Sequence, residues 1–203
     1  MTKIKLCGLT RPCDIDYANE LMPDFIGFVF APKSKRYVPF DKAEKLRAKL
    51  NDSITPVGVF TDESAENIEY LVNHGIISAV QLHGNEDNEY IKKLRSIVKC
   101  QIIQAFRIKT KQDILKAEKS EADYIMLDSG GGTGKTFNHA LISDVKRAFF
   151  LAGGLDSENV GDSISECKPY AVDASSSLET DGVKDKNKMA AFVRAVRYGG
   201  KAK

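Results

Sequence analysis

Residues able to do chemistry stand at the ends of short apolar runs in this 203-residue chain. Cys7 and Gly8 close the run KIKLC, Gln81 and His83 close AVQLH, and Asp128 closes YIMLD. Gly153 and Gly154 follow FFLA, while Asp173, Ser175, Ser176 and Ser177 close AVDASSS. The Gly pair would let a ligand approach bare backbone N–H groups, and three serines opening a helical turn would add further donors. Together they suit a phosphate. The loop APKSKRYVPF carries Lys33, Lys35 and Arg36; a guanidinium there suits a planar carboxylate, held by two parallel hydrogen bonds. His83 is a candidate for lining a site. Cys7 also reads as a small buried apolar side chain, the common fate of a free cysteine.

The elements that must position these groups alternate regularly. Strand-like runs begin near Lys3, Phe25, Thr55, Ala79, Gln101, Tyr124, Phe149 and Tyr170, and the unit recurs every 21 to 30 residues. Helical spacing links Ile15, Ala18 and Met22, then Ala43, Leu46 and Leu50, then Ile68, Leu71 and Val72, then Ile91, Leu94 and Val98. The last stripe, Met189, Phe192, Val193 and Val196, runs up to Gly199 and Gly200. Thr10 and Pro12 read as an N-cap and an early helical proline. Strand runs such as FIGFVF and IIQAF are apolar on both faces, as in strands covered by helices or closed into a barrel.

Eight such units predict an α/β fold, a lean (β/α)8 TIM barrel with few insertions, as one domain over residues 1–203. An open doubly wound sheet would also alternate, but with fewer strands as a rule, and no G-x-G-x-x-G follows the first run. In a barrel the site is built from strand ends at the carboxyl face, where all the groups above would gather. Alternation sets Ile4 and Leu6 on one face of the first strand and Lys3, Lys5 and Cys7 on the other. Lys5 therefore points into the barrel, and an enclosed ammonium needs a carboxylate partner. Asp173 on the adjacent eighth strand is the expected one.

Composition narrows the classes further. A formal charge of +2 with both signs plentiful gives no concentrated basic face for nucleic acid. No apolar run approaches the ~20 residues that span a bilayer, and Lys3 and Lys5 interrupt any leader, so neither a membrane nor a signal peptide is expected. Cys7, Cys13, Cys100 and Cys167 lack metal-site or disulfide-frame spacing, and His74, His83 and His139 stand apart. A cytoplasmic monomer without a metal site is expected. SGGGTGKT resembles a phosphate-binding P-loop at Gly134, Lys135 and Thr136, but Ser129 stands where that motif opens on glycine. It reads better as a loop that closes over Asp128.

In chain order, KLCGLTRPCD, GFVFAPKSKRYV, VGVF, VQLHGNED, LDSGGGTGKTF, LAGGL, VDASSSLE and GVKD resemble the phosphoribosylanthranilate isomerase family over nearly the whole length. The resemblance implies a cofactor-free Amadori rearrangement of a phosphosugar in tryptophan biosynthesis, converting N-(5-phosphoribosyl)anthranilate to 1-(2-carboxyphenylamino)-1-deoxyribulose 5-phosphate. It implies Cys7 as general base, Asp128 as general acid and Arg36 as holder of the anthranilate carboxylate. Phosphate falls to Gly153, Gly154 and the turn from Ser175 to Ser177, with Gln81, His83 and Asp173 also at the substrate. Two departures stand out. Lys35 replaces the family's usual Pro ahead of Arg36, and Ser177 replaces a Gly, with strain expected if that position needs positive φ. The related indoleglycerol-phosphate synthases would need a Lys acid and Glu partners at strand ends, where this chain has Cys7 and Asp128.

Overall fold

Eight parallel strands close into a barrel in the order β1 to β8, with β1 pairing β8. The computed structural model describes residues 1–129, 141–142 and 145–199. The P-loop-like segment with Lys135, the expected closing loop after Asp128, and Gly200 lie outside the described residues. The strands are β1 (Lys3–Cys7), β2 (Phe25–Val29), β3 (Thr55–Phe60), β4 (Ala79–Leu82), β5 (Gln101–Arg107), β6 (Tyr124–Asp128), β7 (Phe149–Ala152) and β8 (Ala171–Ala174). Seven of the eight expected starts coincide, and β8 begins one residue after Tyr170.

Helices α1 (Pro12–Leu21), α2 (Phe40–Arg47), α3 (Ala65–Asn73), α4 (Asn88–Ile97) and α5 (Lys111–Glu118) follow the first five strands. Helix α6 (Val160–Cys167) follows β7, and α7 (Lys186–Tyr198) closes the fold. Among the described residues no helix is long and apolar enough to cross a membrane. Between β8 and α7 lie a 3₁₀ turn (Ser176–Leu178) and a two-stranded hairpin of β9 (Glu179–Thr180) and β10 (Val183–Lys184), an addition that the eight-unit pattern did not contain.

Strand alternation divides the core in two. Outward residues such as Ile4, Leu6, Ile26, Val80, Leu127 and Val172 pack against the helix stripes. The expected stripes supply Ile15, Ala18, Leu46, Ile68, Leu94 and Phe192 to that layer. Inward residues Phe25, Val57, Ala79, Ile103, Met126, Phe150 and Ala171 form a second cluster inside the barrel. Lys5 is fully buried among them, its Nζ 2.7 Å from Asp173 Oδ1, which is the pairing that alternation predicts.

Several helix ends differ from expectation. Arg11, not Thr10, is the N-cap of α1, because Pro12 takes the first helical position and the residue before it must be the cap. Asp14 then reaches back and accepts the N–H groups of both Thr10 and Arg11 at 2.9 Å. Met22 ends α1 in the left-handed region at φ 49° and is 39 % exposed, so it leaves the apolar stripe. Leu50 and Val98 are buried as expected but lie past the last turn of α2 and α4.

Candidate active site

The carboxyl ends of the strands enclose a cavity of about 340 Å³. Apart from Gly8, the residues singled out at strand ends line it: Cys7 from β1, Gln81 and His83 from β4, Asp128 from β6, Gly153 and Gly154 after β7, and Asp173, Ser175, Ser176 and Ser177 from β8 onward. Arg36 reaches it from the loop after β2, whereas Lys33 and Lys35 of the same loop are exposed. Val29, Val59, Met126 and Ala152 supply apolar wall between these groups, and sequence patterning did not separate them from ordinary core.

Burial dominates the thiol. Cys7 is 7 % exposed, and desolvation pushes its pKa above the ordinary 9.0, although the nearby Lys5 and Lys184 ammonium groups pull the other way. Lys5 behind it favours the thiolate, but less than burial opposes it. The same burial would strip Lys5 of its proton, yet Asp173 and Cys7 outweigh it and hold the ammonium above its usual range. Across the mouth, His83 Nε2 lies 3.7 Å from Asp128 Oδ2. Asp128 shares its strand register with Ala152 of β7, so its carboxyl stands beside the turn at Gly153.

That turn is shaped by glycine. Gly153 has φ 96°, and a Cβ there would meet Ser129 Oγ at 2.2 Å and Asp128 Oδ1 at 2.6 Å. Opposite, the 3₁₀ turn begins at Ser176, and the first N–H groups of such a turn have no partner within it. The serine hydroxyls themselves are largely engaged. Ser175 Oγ donates to the Cys7 carbonyl at 3.0 Å, and Ser177 Oγ donates to the Leu155 carbonyl at 2.5 Å. Ser177 also avoids the left-handed region, so the strain expected of a serine at that position is absent. Its hydroxyl instead ties the loop after β7 to the loop after β8.

Arg36 is held in an unexpected way. Its Nε and Nη2 donate to the two carboxylate oxygens of Glu179 at 2.5 and 2.8 Å, leaving three of its five N–H groups for other partners. Its aliphatic stem crosses Gly8, where φ is 81° and a Cβ would fall 2.3 Å from Arg36 Cδ. Lys184, buried behind the site, donates from Nζ to Glu179 Oε1 at 2.6 Å and to the Ser175 carbonyl at 2.9 Å. Reasoning from strand ends missed both Glu179 and Lys184. They sit in the VDASSSLE and GVKD segments, so the signal was present but unassigned.

Comparison with known proteins places this architecture. Residues 4–195 match the family described as N-(5'phosphoribosyl)anthranilate (PRA) isomerase. An N-(5'-phosphoribosyl)anthranilate isomerase of Endomicrobium trichonymphae is 40 % identical over 202 residues, covering 97 % of this chain and 99 % of the relative. The crystal structure of phosphoribosyl anthranilate isomerase from Thermotoga maritima superposes with a TM-score of 0.90 at 35 % identity, covering 97 % of this chain and 99 % of that one. A phosphoribosyl anthranilate isomerase in complex with reduced 1-(o-carboxyphenylamino)-1-deoxyribulose 5-phosphate gives 0.88 at 34 % identity, with the same coverage.

Proposed function

The chain belongs to the N-(5'-phosphoribosyl)anthranilate isomerase family, and on that premise we propose that Cys7 and Asp128 perform its proton transfers. The chain is an isomerase acting on N-(5'-phosphoribosyl)anthranilate in tryptophan biosynthesis. The reaction needs an acid at the ribose ring oxygen, so that the ring opens to an iminium. It then needs a base at the sugar C2. Removal of that proton gives an enol-amine, which relaxes to the ketone. Asp128 is the acid and Cys7 the base, and the observation supporting this is their placement on opposite sides of one cavity, three strands apart around the barrel.

The remaining groups orient the substrate. The phosphate docks on backbone N–H groups of Gly153, Gly154 and the turn at Ser176, with Ser175 and Ser177 holding that turn in shape through their hydroxyl bonds to Cys7 and Leu155. Arg36 takes the anthranilate carboxylate with the N–H groups that Glu179 leaves. Gln81, His83 and Asp173 line the space between, at the sugar. Cys7 takes up a proton in the step it catalyses, so it must enter that step as the thiolate, the form that Lys5 beneath it stabilises. Substrate that closes the cavity strengthens that attraction by excluding water.

The test is loss of anthranilate-adduct fluorescence after freshly formed N-(5'-phosphoribosyl)anthranilate is mixed with purified protein. Catalysed loss, with the deoxyribulose product identified by mass, is expected. Loss no faster than spontaneous hydrolysis would overturn the reading.

A further inference from the structure

Three charges stand in a row leading away from the cavity, Arg36 in its lining and Glu179 and Lys184 behind it. Arg36 lies on the cavity side, Glu179 receives its guanidinium in a two-bond fork, and Lys184 Nζ donates at 2.6 Å to Oε1, the oxygen that also accepts from Arg36 Nε. Exposure falls inward along the row, from 28 % for the Arg36 side chain to 10 % for Glu179 and 1 % for Lys184. A buried ammonium is costly, and a surface lysine would orient a loop as well, so its burial here needs a reason.

Charge arithmetic supplies one. Arg36 and Glu179 alone sum to zero, and an incoming carboxylate would meet the Glu179 charge directly behind the guanidinium. With Lys184 the row sums to +1, which leaves one positive charge for an anion on the cavity side. Glu179 stays ionised between two cations, its pKa lowered because the Arg36 and Lys184 bonds outweigh the opposing effect of burial. Of the neighbouring cations, Lys188 is exposed and bonds the Glu179 carbonyl, not its carboxylate, and Arg11 bonds the Lys184 carbonyl and pairs with Asp14.

We propose that Lys184 is a positioning residue for the reaction: it neutralises Glu179, so that Glu179 can orient Arg36 without cancelling the attraction of Arg36 for the substrate's carboxylate. The inference rests on the reading of Arg36 as the carboxylate-holding group. It makes specificity for an anthranilate over an aniline moiety depend on a residue that does not touch the substrate.

The experiment compares KM and kcat for N-(5'-phosphoribosyl)anthranilate and for N-(5'-phosphoribosyl)aniline, the same molecule without its carboxylate. Lys184→Met should raise KM for the first about five- to tenfold and change the second little, while any fall in kcat from its lost pull on the Cys7 thiol is common to both compounds. Lys184 also holds the Ser175 carbonyl, but a disturbed phosphate turn would weaken both compounds equally, so the ratio of the two KM values isolates the charge effect. The double variant Glu179→Gln with Lys184→Met restores a sum of +1, and its ratio should lie closer to wild type than that of Lys184→Met alone. A purely structural role predicts a double variant at least as impaired as the single one, and that result would overturn the proposal. Arg36→Met separates the premises, with an expected rise of about 10- to 150-fold in KM for the anthranilate compound. If Arg36→Met has no effect, the carboxylate assignment fails and this inference with it. If Arg36→Met has its effect and Lys184→Met leaves the ratio unchanged, only the inference fails.

Discussion

The two ends of the barrel interior are filled in opposite ways. At the amino end, Phe25, Phe150, Tyr124 and Tyr170 form a plug, with Phe150 centred 5.5 to 5.7 Å from the other three rings. Lys3 adds its ammonium 5.5 Å from the rings of Phe25 and Tyr170. At the carboxyl end the corresponding apolar cluster shrinks to Cys7, Val29 and Val59, and the space above them is the cavity. One end is packed to hold the strands together; the other leaves room for a ligand among groups that would be costly to bury without one. The lesson is a division of labour along every strand: the same inward-facing column carries ring or methyl groups early and reactive groups late.

That comparison breaks if reactive residues at the carboxyl end prove to matter for stability alone. Cys7→Ala and Asp128→Ala should each lower kcat by at least ~10²-fold, with a denaturant midpoint close to wild type. Cys7→Ser should not restore activity, since a hydroxyl is a far weaker base than a thiol. More than a tenth of wild-type kcat in Cys7→Ala would return Cys7 to the role of packing residue. The converse holds at the other end. Phe150→Ala, at a fully buried position, should cost ~3–5 kcal/mol of stability by urea titration while kcat stays within about twofold. A large fall in kcat without loss of stability would erase the distinction.

The third test sharpens the contrast within the reactive end. Because burial raises the Cys7 pKa above 9.0, the thiol is protonated near neutrality, and alkylation by iodoacetamide follows the small thiolate fraction. Its rate, read by peptide mapping, should climb about tenfold per pH unit from pH 7 and still be rising at pH 9. Cys100 and Cys167, pushed up to about 11, should follow the same rise. A plateau for Cys7 below pH 8 would mean that Lys5 prevails over desolvation in the free protein.

Much of this was legible in the sequence because barrel strands are short, evenly spaced and apolar on both faces. Seven starts could be read to the residue, and the inward direction of Lys5 followed from alternation alone. The strand ends then named residues that the fold brings to one cavity. What escaped has a common physical cause. Arg36 carries surface-like charge in a loop, and nothing local says that its partner is Glu179, 143 residues away. The β9–β10 hairpin has strands of two residues each, too short for a period-two pattern. Its Asp181-Gly182 turn, with Asp181 at φ 52°, was the available signal. Thr10 was mistaken for the cap of α1 because the polar type was weighed above the position fixed by Pro12.

The buried pair between Lys5 and Asp173 bears on how the protein is made. Its two halves are 168 residues apart, on the first and last strands of the barrel, and they meet across the seam where the sheet closes on itself. A chain emerging from the ribosome exposes Lys5 almost at once and Asp173 only after seven strands have passed. Until then an apolar ring sealed around β1 would enclose an ammonium without its counter-charge, a cost of several kcal/mol. Partial barrels that leave out β8 are thereby disfavoured, and the seam becomes a checkpoint at which final closure waits for the carboxylate that arrives last.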